Sequence, residues 1–425
     1  MLSLQYIREN TDYILERLKT RNTDYTQIIE KVKKLDEERR SKQQEINTDQ
    51  SELNTLSKKI GQLFKEGKTD EANEAKNRNT ELKQKIKDSR KRLNEIEEEL
   101  RELLTQVPNV PHQSVIQGKG EEENELLRSG GTTPRLGENA LPHWELGKKY
   151  DILDFDLGNK ITGRGFPVYK NKGSRLQRAM INYFLDRARE EGYQEMLPPL
   201  MVNEDSAFAT GQLPDKEGQM YAVPIDNFYL IPTAEVPVTN IYRDSIVEEK
   251  DLPIKMTAYT PCFRREAGSW GKEVRGLNRV HQFDKVEIVQ IDHPEKSYDT
   301  LEKMTSYVER LIKELEMPYR IMRLCGGDLG FAATLTYDFE VYSSAQDKWL
   351  EVSSVSNFES YQANRLKLRF RNQDTKKTQL AHTLNGSALA LPRLLAALLE
   401  NNQDEKGIRI PDVLQPYTGF NYISS

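Results

Sequence analysis

Between residues 28 and 63 the apolar residues recur in alternating steps of four and three. Positions 28, 32, 35, 39, 42, 46, 49, 53, 56, 60 and 63 read Ile, Val, Leu, Arg, Lys, Ile, Asp, Leu, Leu, Ile, Leu. Eight of these eleven are apolar, whereas the chain's 36% hydrophobic content would give about four. A second seam at 72, 75, 79, 82, 86, 89, 93, 96, 100 and 103 reads Ala, Ala, Asn, Leu, Ile, Ser, Leu, Ile, Leu, Leu, with eight of ten apolar. A stripe with this period is buried only when two helices lie along each other. Between the seams, Lys65-Glu66-Gly67-Lys68-Thr69-Asp70 supplies a glycine break and an Asp suited to N-capping. The pattern predicts an antiparallel hairpin whose first helix, about 37 residues at ~1.5 Å each, runs ~55 Å. Neither helix has a third apolar face, so the hairpin is expected to stand in solvent.

Residues 1–26 read as a helical lead-in, with charges where a signal peptide needs its apolar stretch. The longest apolar run, Leu394–Leu399, is far short of the ~20 residues of a membrane helix. With only two cysteines, Cys262 and Cys325, a disulfide framework and a zinc quartet are excluded, and a cytoplasmic location is expected. Net charge is −5, so any nucleic-acid contact needs a local basic patch. Residues 55–90 offer one, with ten Lys/Arg against six Asp/Glu. Such charges solvate the outer faces of any coiled coil, or they make an arm that reaches a polyanion; the hairpin alone does not choose.

Pro108 and Pro111 end the second helix, and 108–131 reads as linker. The expected division is therefore 1–107 with the arm at about 28–104, a linker 108–131, and a large domain 132–425. Helical stretches are expected near 173–191, 295–316 and 387–402. Strands are expected near 219–231, 256–263, 279–291, 319–324, 335–342 and 348–356. Many strands with few crossover helices predict α+β, an antiparallel sheet flanked by helices.

No GxxxxGK[ST], GxGxxG or GxSxG pattern occurs. The five histidines (112, 143, 281, 293 and 382) show no metal-ligand spacing. An enzyme here would work by positioning and charge stabilisation. The densest segment is 260–289, TPCFRREAGSWGKEVRGLNRVHQFDKVEIV. Alternation in its second strand puts Arg279, His281, Phe283, Lys285 and Glu287 on one face. Arginine is the bidentate partner of phosphate, Phe can stack on a base, and Glu can hold an ammonium or a hydroxyl. For any one of these residues an ion-paired surface hairpin is the simpler account; their clustering weakens it.

This segment resembles motif 2 of the class II aminoacyl-tRNA synthetases, in the form found in the seryl-tRNA synthetases. Gly192–Pro199 (GYQEMLPP) resembles motif 1, and Asn385–Arg393 (NGSALALPR) resembles motif 3. Ala388 and Pro392 stand where glycines are common in that motif, and Arg393 is retained. Ile231–Pro237 (IPTAEVP) is similar to the family's serine-binding loop; Glu351–Ser354 and Pro108–His112 are also family-like. The resemblance spans essentially the whole chain, including the coiled-coil hairpin.

The resemblance implies an α+β catalytic domain with an antiparallel sheet of class II type behind a long N-terminal coiled-coil hairpin. It implies that serine attacks the α-phosphate of ATP to give seryl-adenylate and pyrophosphate, and that the terminal adenosine of tRNA(Ser) then takes the seryl group; tRNA(Sec) is a further expected acceptor. Arg264 and Arg393 would be catalytic. Thr233, Ala234, Glu235, Arg264, Glu287, Asn385 and Ser387 would bind L-serine. Arg264, Arg265, Glu266, Arg279, Val280, Phe283, Glu351, Val352, Ser353, Ser354 and Arg393 would bind ATP, with Glu351 and Ser354 holding Mg²⁺ and no zinc, haem or flavin. Lys58, Lys59, Lys65, Lys68, Arg78 and Trp270 would meet tRNA, and the chain would act as a homodimer off the membrane. Cys262 reads as structural, and so does His281. Two other readings are a paralogue that loads a carrier protein and a non-catalytic RNA-binding or coiled-coil protein.

Overall fold

The computed structural model of the chain describes residues 1–137, 139–215, 217–266 and 275–424. They divide into two compact units, one of Leu2–Leu18 with Thr23–Pro108, the other of Met1, Lys19–Asn22 and Asn109–Ser425.

The first unit opens with α1 (Leu4–Glu9) and α2 (Thr11–Leu18) and continues in α3 (Thr26–Lys65) and α4 (Thr69–Gln106), which pack along each other. Val32, Leu35, Ile46 and Leu63 of α3 are buried, as are Ala72, Ala75, Leu82, Ile86, Leu93, Ile96 and Leu100 of α4. At the two ends the inward residue is one step further on, Ile29 for Ile28 and Leu104 for Leu103. A helix of 3.6 residues per turn drifts ~20° per heptad against a strict seven-residue repeat. Two polar seam residues find partners across it: Asp49 Oδ1 accepts from Lys85 Nζ at 3.2 Å, and Asn79 donates to Ser57 Oγ at 2.8 Å. Buried Asp36 holds Arg8 at 2.6 Å and Arg39 at 2.9 Å.

Gly67, at φ +75°, ends α3, and the Lys68 N–H reaches back to the Leu63 carbonyl at 3.0 Å. This is a Schellman closure, which needs a residue in the left-handed region. Asp70 does not cap α4 as expected. Lys68 holds the cap position without a side-chain bond, and Asp70 and Glu71 lie in the first turn. There their carboxylates sit at the positive end of the helix.

The second unit is built on an eight-stranded sheet. Its strands in chain order are β1 (Glu125–Gly130), β2 (Gln194–Met196), β3 (Ile254–Phe263), β4 (Gln282–Asp292), β5 (Tyr319–Arg323), β6 (Leu335–Ser343), β7 (Lys348–Asn357) and β8 (His382–Ala390). They are laid out in the order β1-β5-β6-β7-β8-β4-β3-β2. All neighbours are antiparallel except the edge pair β2–β3. The helices used below are α5 (His143–Lys149), α6 (Asn171–Glu190), α7 (Glu235–Asn240), α8 (Ser297–Glu314), α9 (Ser360–Leu366) and α10 (Leu391–Asn401).

Alternation sorts the two faces. Val286 and Ile288 of β4 share a core with Leu176, Met180, Tyr183 and Phe184 of α6, Leu301, Val308 and Leu311 of α8, and Leu394 and Leu398 of α10. Lys285 and Glu287 face the other way, and Val289 and Ile291 carry that face into a second cluster with Val238 and Leu366. The strand expected at 219–231 is instead two short strands, Ala222–Val223 and Phe228–Leu230, outside the eight-stranded sheet, and two further boundaries also differ from expectation. Residues 125–130 of the expected linker form β1, which pairs with β5. The helix expected from 387 starts at Leu391, because 385–387 pair with β4 and Pro392 sits in the helix's first turn.

Candidate active site

β3, β4, β7 and β8 lie side by side, and residues of β4, β7 and β8 line a cleft of about 530 Å³ in the second unit. β3 ends just before Arg264. β4 contributes Phe283, Lys285 and Glu287, β7 Glu351–Ser354, and β8 Asn385 and Ser387. Arg393 enters from the first turn of α10, and Thr233 and Glu235 from the start of α7.

The deepest polar group is a triangle. Lys285 Nζ lies 2.6 Å from Glu287 Oε2 and donates to Thr233 Oγ1 at 2.8 Å. Thr233 in turn donates to Glu287 Oε2 at 3.2 Å. All three are buried. Glu235, 6% exposed, accepts from Gln362 Nε2 of α9 at 2.6 Å. Burial pushes its carboxyl up to about 7, with the neighbouring Glu287 adding to the rise. Burial also raises Glu287, and Lys285 opposes that rise. Asn385 and Ser387 complete the lining of this polar end.

Arg264 is held by the Pro232 carbonyl at 3.3 Å, and its guanidinium lies 5.2 Å from the centre of the Phe283 ring. Arg279 pairs with Glu266 at 2.9 Å. Arg393 donates from Nε to the Asn278 carbonyl at 2.8 Å and lies 3.4 Å from Glu351 Oε2. Ser354 Oγ donates to Glu351 Oε1 at 3.4 Å. On β6, directly across from Ser354, Asp338 Oδ1 is buried with no hydrogen-bond partner. Burial and the Glu351 charge push the Asp338 carboxyl well above its usual range. A carboxylate, a hydroxyl and an orphaned carboxyl oxygen suit an oxygen-liganded cation such as Mg²⁺ that also bridges phosphates.

The cleft thus gathers Thr233, Glu235, Arg264, Glu266, Arg279, Val280, Phe283, Glu287, Glu351, Val352, Ser353, Ser354, Asn385, Ser387 and Arg393. Two expected residues lie outside its lining. Ala234 is fully buried beside Thr233, and Arg265 is exposed, its backbone N–H on the Gln219 carbonyl. His281 also leaves the face that alternation assigns it. It precedes β4; its N–H pairs with the Gly165 carbonyl, its Nδ1 meets the Arg264 carbonyl at 3.0 Å, and its ring stacks on Phe166. Cys262 is fully buried, and burial raises its thiol, so it is no nucleophile. Trp270 lies outside the described residues. Lys58, Lys59, Lys65, Lys68 and Arg78 are exposed on α3, α4 and the turn between them; Lys68 pairs with Glu66 and Arg78 with Glu52.

Sequence reasoning gave no role to Lys285, although it shares the alternating face of Phe283 and Glu287. Gln362 and Asn278, which hold Glu235 and Arg393, carry no local signal, since each acts on a residue more than a hundred positions away.

Residues 221–402 match the tRNA synthetase class II core domain (G, H, P, S and T), so sheet and cleft together define a class II aminoacyl-tRNA synthetase core. Residues 1–111 match the seryl-tRNA synthetase N-terminal domain. A serine–tRNA ligase of Salinibacter ruber is 47% identical over 421 residues, 99% of this chain and 98% of that one. The chain belongs to the seryl-tRNA synthetase family. Among solved structures, the seryl-tRNA synthetase from Pyrococcus horikoshii complexed with ATP is 35% identical, with a TM-score of 0.93 over 100% of this chain and 99% of that one. The cytoplasmic serine–tRNA ligase from Naegleria fowleri in complex with AMP is 27% identical, with a TM-score of 0.87 over 100% and 99%.

Proposed function

We propose that the chain is a serine–tRNA ligase whose cleft carries out both half-reactions. The carrying observation is the single cleft that joins a small buried polar end to an arginine-rich end. In the first step a serine carboxylate oxygen attacks the α-phosphorus of ATP. A P–O bond to serine forms, the bond to the β-phosphate oxygen breaks, and pyrophosphate leaves. In the second step a hydroxyl of the tRNA's terminal adenosine attacks the seryl carbonyl, and AMP leaves. In-line phosphoryl transfer calls for alignment and charge neutralisation more than for a protein nucleophile.

Arg264 fits the bridging position between the serine carboxylate and the α-phosphate, since it stands at the boundary of the two ends, over Phe283. Phe283 offers a face to adenine, Glu266 its amino group a carboxylate, and Val280 a wall. Arg279 and Arg393 supply cations for the outer phosphates. Glu351 and Ser354 would hold Mg²⁺, with Asp338 behind them, and the ion would supply charge neutralisation for the phosphates. Thr233, Glu235, Glu287, Asn385 and Ser387 would hold the serine ammonium and hydroxyl. A site built around such hydrogen bonds leaves buried groups unpaired when alanine enters, a penalty that can reach ~10⁴–10⁵.

The exposed basic residues of the hairpin suit the backbone of an RNA duplex, whose base edges are hidden in a deep groove. A carrier-loading paralogue would dispense with this arm. Leu197, 91% exposed, and Met201, 50% exposed, follow β2 and fit a homodimer contact. Among the described residues no helix is long and apolar enough to cross a membrane, and both cysteines are free, which fits a cytoplasmic enzyme.

The test is Arg264→Ala in serine-dependent pyrophosphate exchange. A fall of about 10²–10³-fold is expected for a lost transition-state donor; near-normal exchange would remove Arg264 from its role.

A further inference from the structure

We propose that His143, outside the cleft lining, is a positioning residue for the nucleotide end of the cleft; this rests on the reading that ATP binds there. His143 opens α5 and is fully buried, as is Glu400 in the last turn of α10. His143 Nδ1 lies 2.7 Å from Glu400 Oε1, and its backbone N–H meets the same oxygen at 2.9 Å. Its Nε2 accepts the Leu277 N–H at 2.8 Å. That second bond fixes the tautomer: the ring proton is on Nδ1, donated to Glu400.

The bonds close a circuit that ends on Arg393. Glu400 also accepts from Gln346 Nε2 at 2.9 Å and from Ser343 Oγ. Gln346 Oε1 accepts from Asn278 Nδ2 at 2.8 Å, and the Asn278 carbonyl accepts Arg393 Nε. Arg393 and Glu400 are seven residues apart on α10, two turns along one face. The helix therefore holds segment 275–278 at two adjacent residues, directly at Asn278 and through His143 at Leu277. Arg279, the next residue, lines the cleft. The approach is close: a Cβ on Gly276 would meet His143 Nε2 at 2.1 Å. Beside it, the Arg275 guanidinium lies 4.5 Å from the centre of the Trp144 ring. None of these bonds touches the Thr233–Lys285–Glu287 triangle, so the circuit positions the two outer arginines and leaves the serine end alone.

The test compares the full chain with His143→Asn, His143→Gln and Gly276→Ala in pyrophosphate exchange, titrating ATP and serine separately. Asn keeps a donor at the Nδ1 position and loses the acceptor for Leu277. Gln keeps an acceptor at the Nε2 position. The expected result is an ATP KM raised about tenfold in His143→Asn, the order of one unsatisfied buried N–H. His143→Gln is expected within about twofold of the unaltered chain, with serine KM steady throughout. Gly276→Ala, which pushes segment 275–278 away without touching Glu400, is expected to raise the ATP KM alone. Equal losses in Asn and Gln, parallel shifts of ATP and serine, or no shift overturn the proposal. A normal ATP KM in Gly276→Ala overturns it even if His143→Asn does not fold. No exchange in the unaltered chain overturns the reading of the cleft, and this proposal with it; normal exchange there with an unaffected His143→Asn overturns this proposal alone.

Discussion

Burial, with the neighbouring Glu287 adding to it, keeps the Glu235 carboxyl protonated up to about pH 7. Its pKa is raised in the folded chain, so the stability it contributes is full below the unfolded value of 4.5 and is lost as pH climbs to about 7. A bound ammonium reverses the preference, because it favours the ionised form. Serine binding should then release a proton, and serine KM should fall about tenfold between pH 6 and pH 8, as expected for a group that is mostly protonated a unit below its pKa and mostly ionised a unit above. Steady-state exchange across that range measures it. Glu235→Gln should raise KM and flatten the profile; a flat profile in the unaltered chain would show that Glu235 does not meet the ammonium. At this scale β-strand alternation, being local, put Phe283, Lys285 and Glu287 on one face, while the cleft residues outside that strand were legible only through the family resemblance of their motifs. His281 escaped that rule because the chain there pairs with Gly165, a partner no local pattern reveals.

In the elements, the hairpin was legible because a heptad needs no distant partner to be recognised. Its buried charge was less so. Asp36 lies outside both seams yet is 1% exposed, held by Arg8 from α1 and Arg39 from its own helix. Burial raises its carboxyl, but the hydrogen bonds from Arg8 and Arg39 win and leave its pKa lowered. The sign follows: its stabilisation is present above the unfolded value of 3.8 and is lost as pH falls below it. Asp36→Asn should cost the first unit about 2 kcal/mol at neutral pH, the scale of hydrogen bonds to a charged group. Hydrogen exchange of α3 amides in the full chain would show faster opening at pH 7, with the difference from the unaltered chain shrinking as pH falls below 3.8. Unchanged exchange at pH 7 would mean that the arginines merely decorate the helix. β1 and the late start of α10 were missed for a common reason: 125–130 and 385–390 become strands through pairing with β5 and β4, well removed in sequence.

For the whole molecule, the proposed reaction sits in one unit and the proposed contact with tRNA in the other. The cleft residues belong to the second unit and the hairpin's basic residues to the first. Deleting residues 30–104 should therefore spare serine-dependent pyrophosphate exchange and abolish charging of tRNA(Ser), with tRNA(Sec) assayed beside it. Equal loss of both activities would show instead that the hairpin is needed for folding.

On the proposed function, the triangle of Thr233, Lys285 and Glu287, with Glu235 beside it, is a serine pocket joined to an ATP site. Pyrophosphate exchange driven by a panel of single amino acids tests it most directly. Serine should drive exchange, with alanine weaker by about 10⁴-fold for want of the hydroxyl. Exchange driven as well by alanine as by serine, or by no amino acid at all, would contradict it.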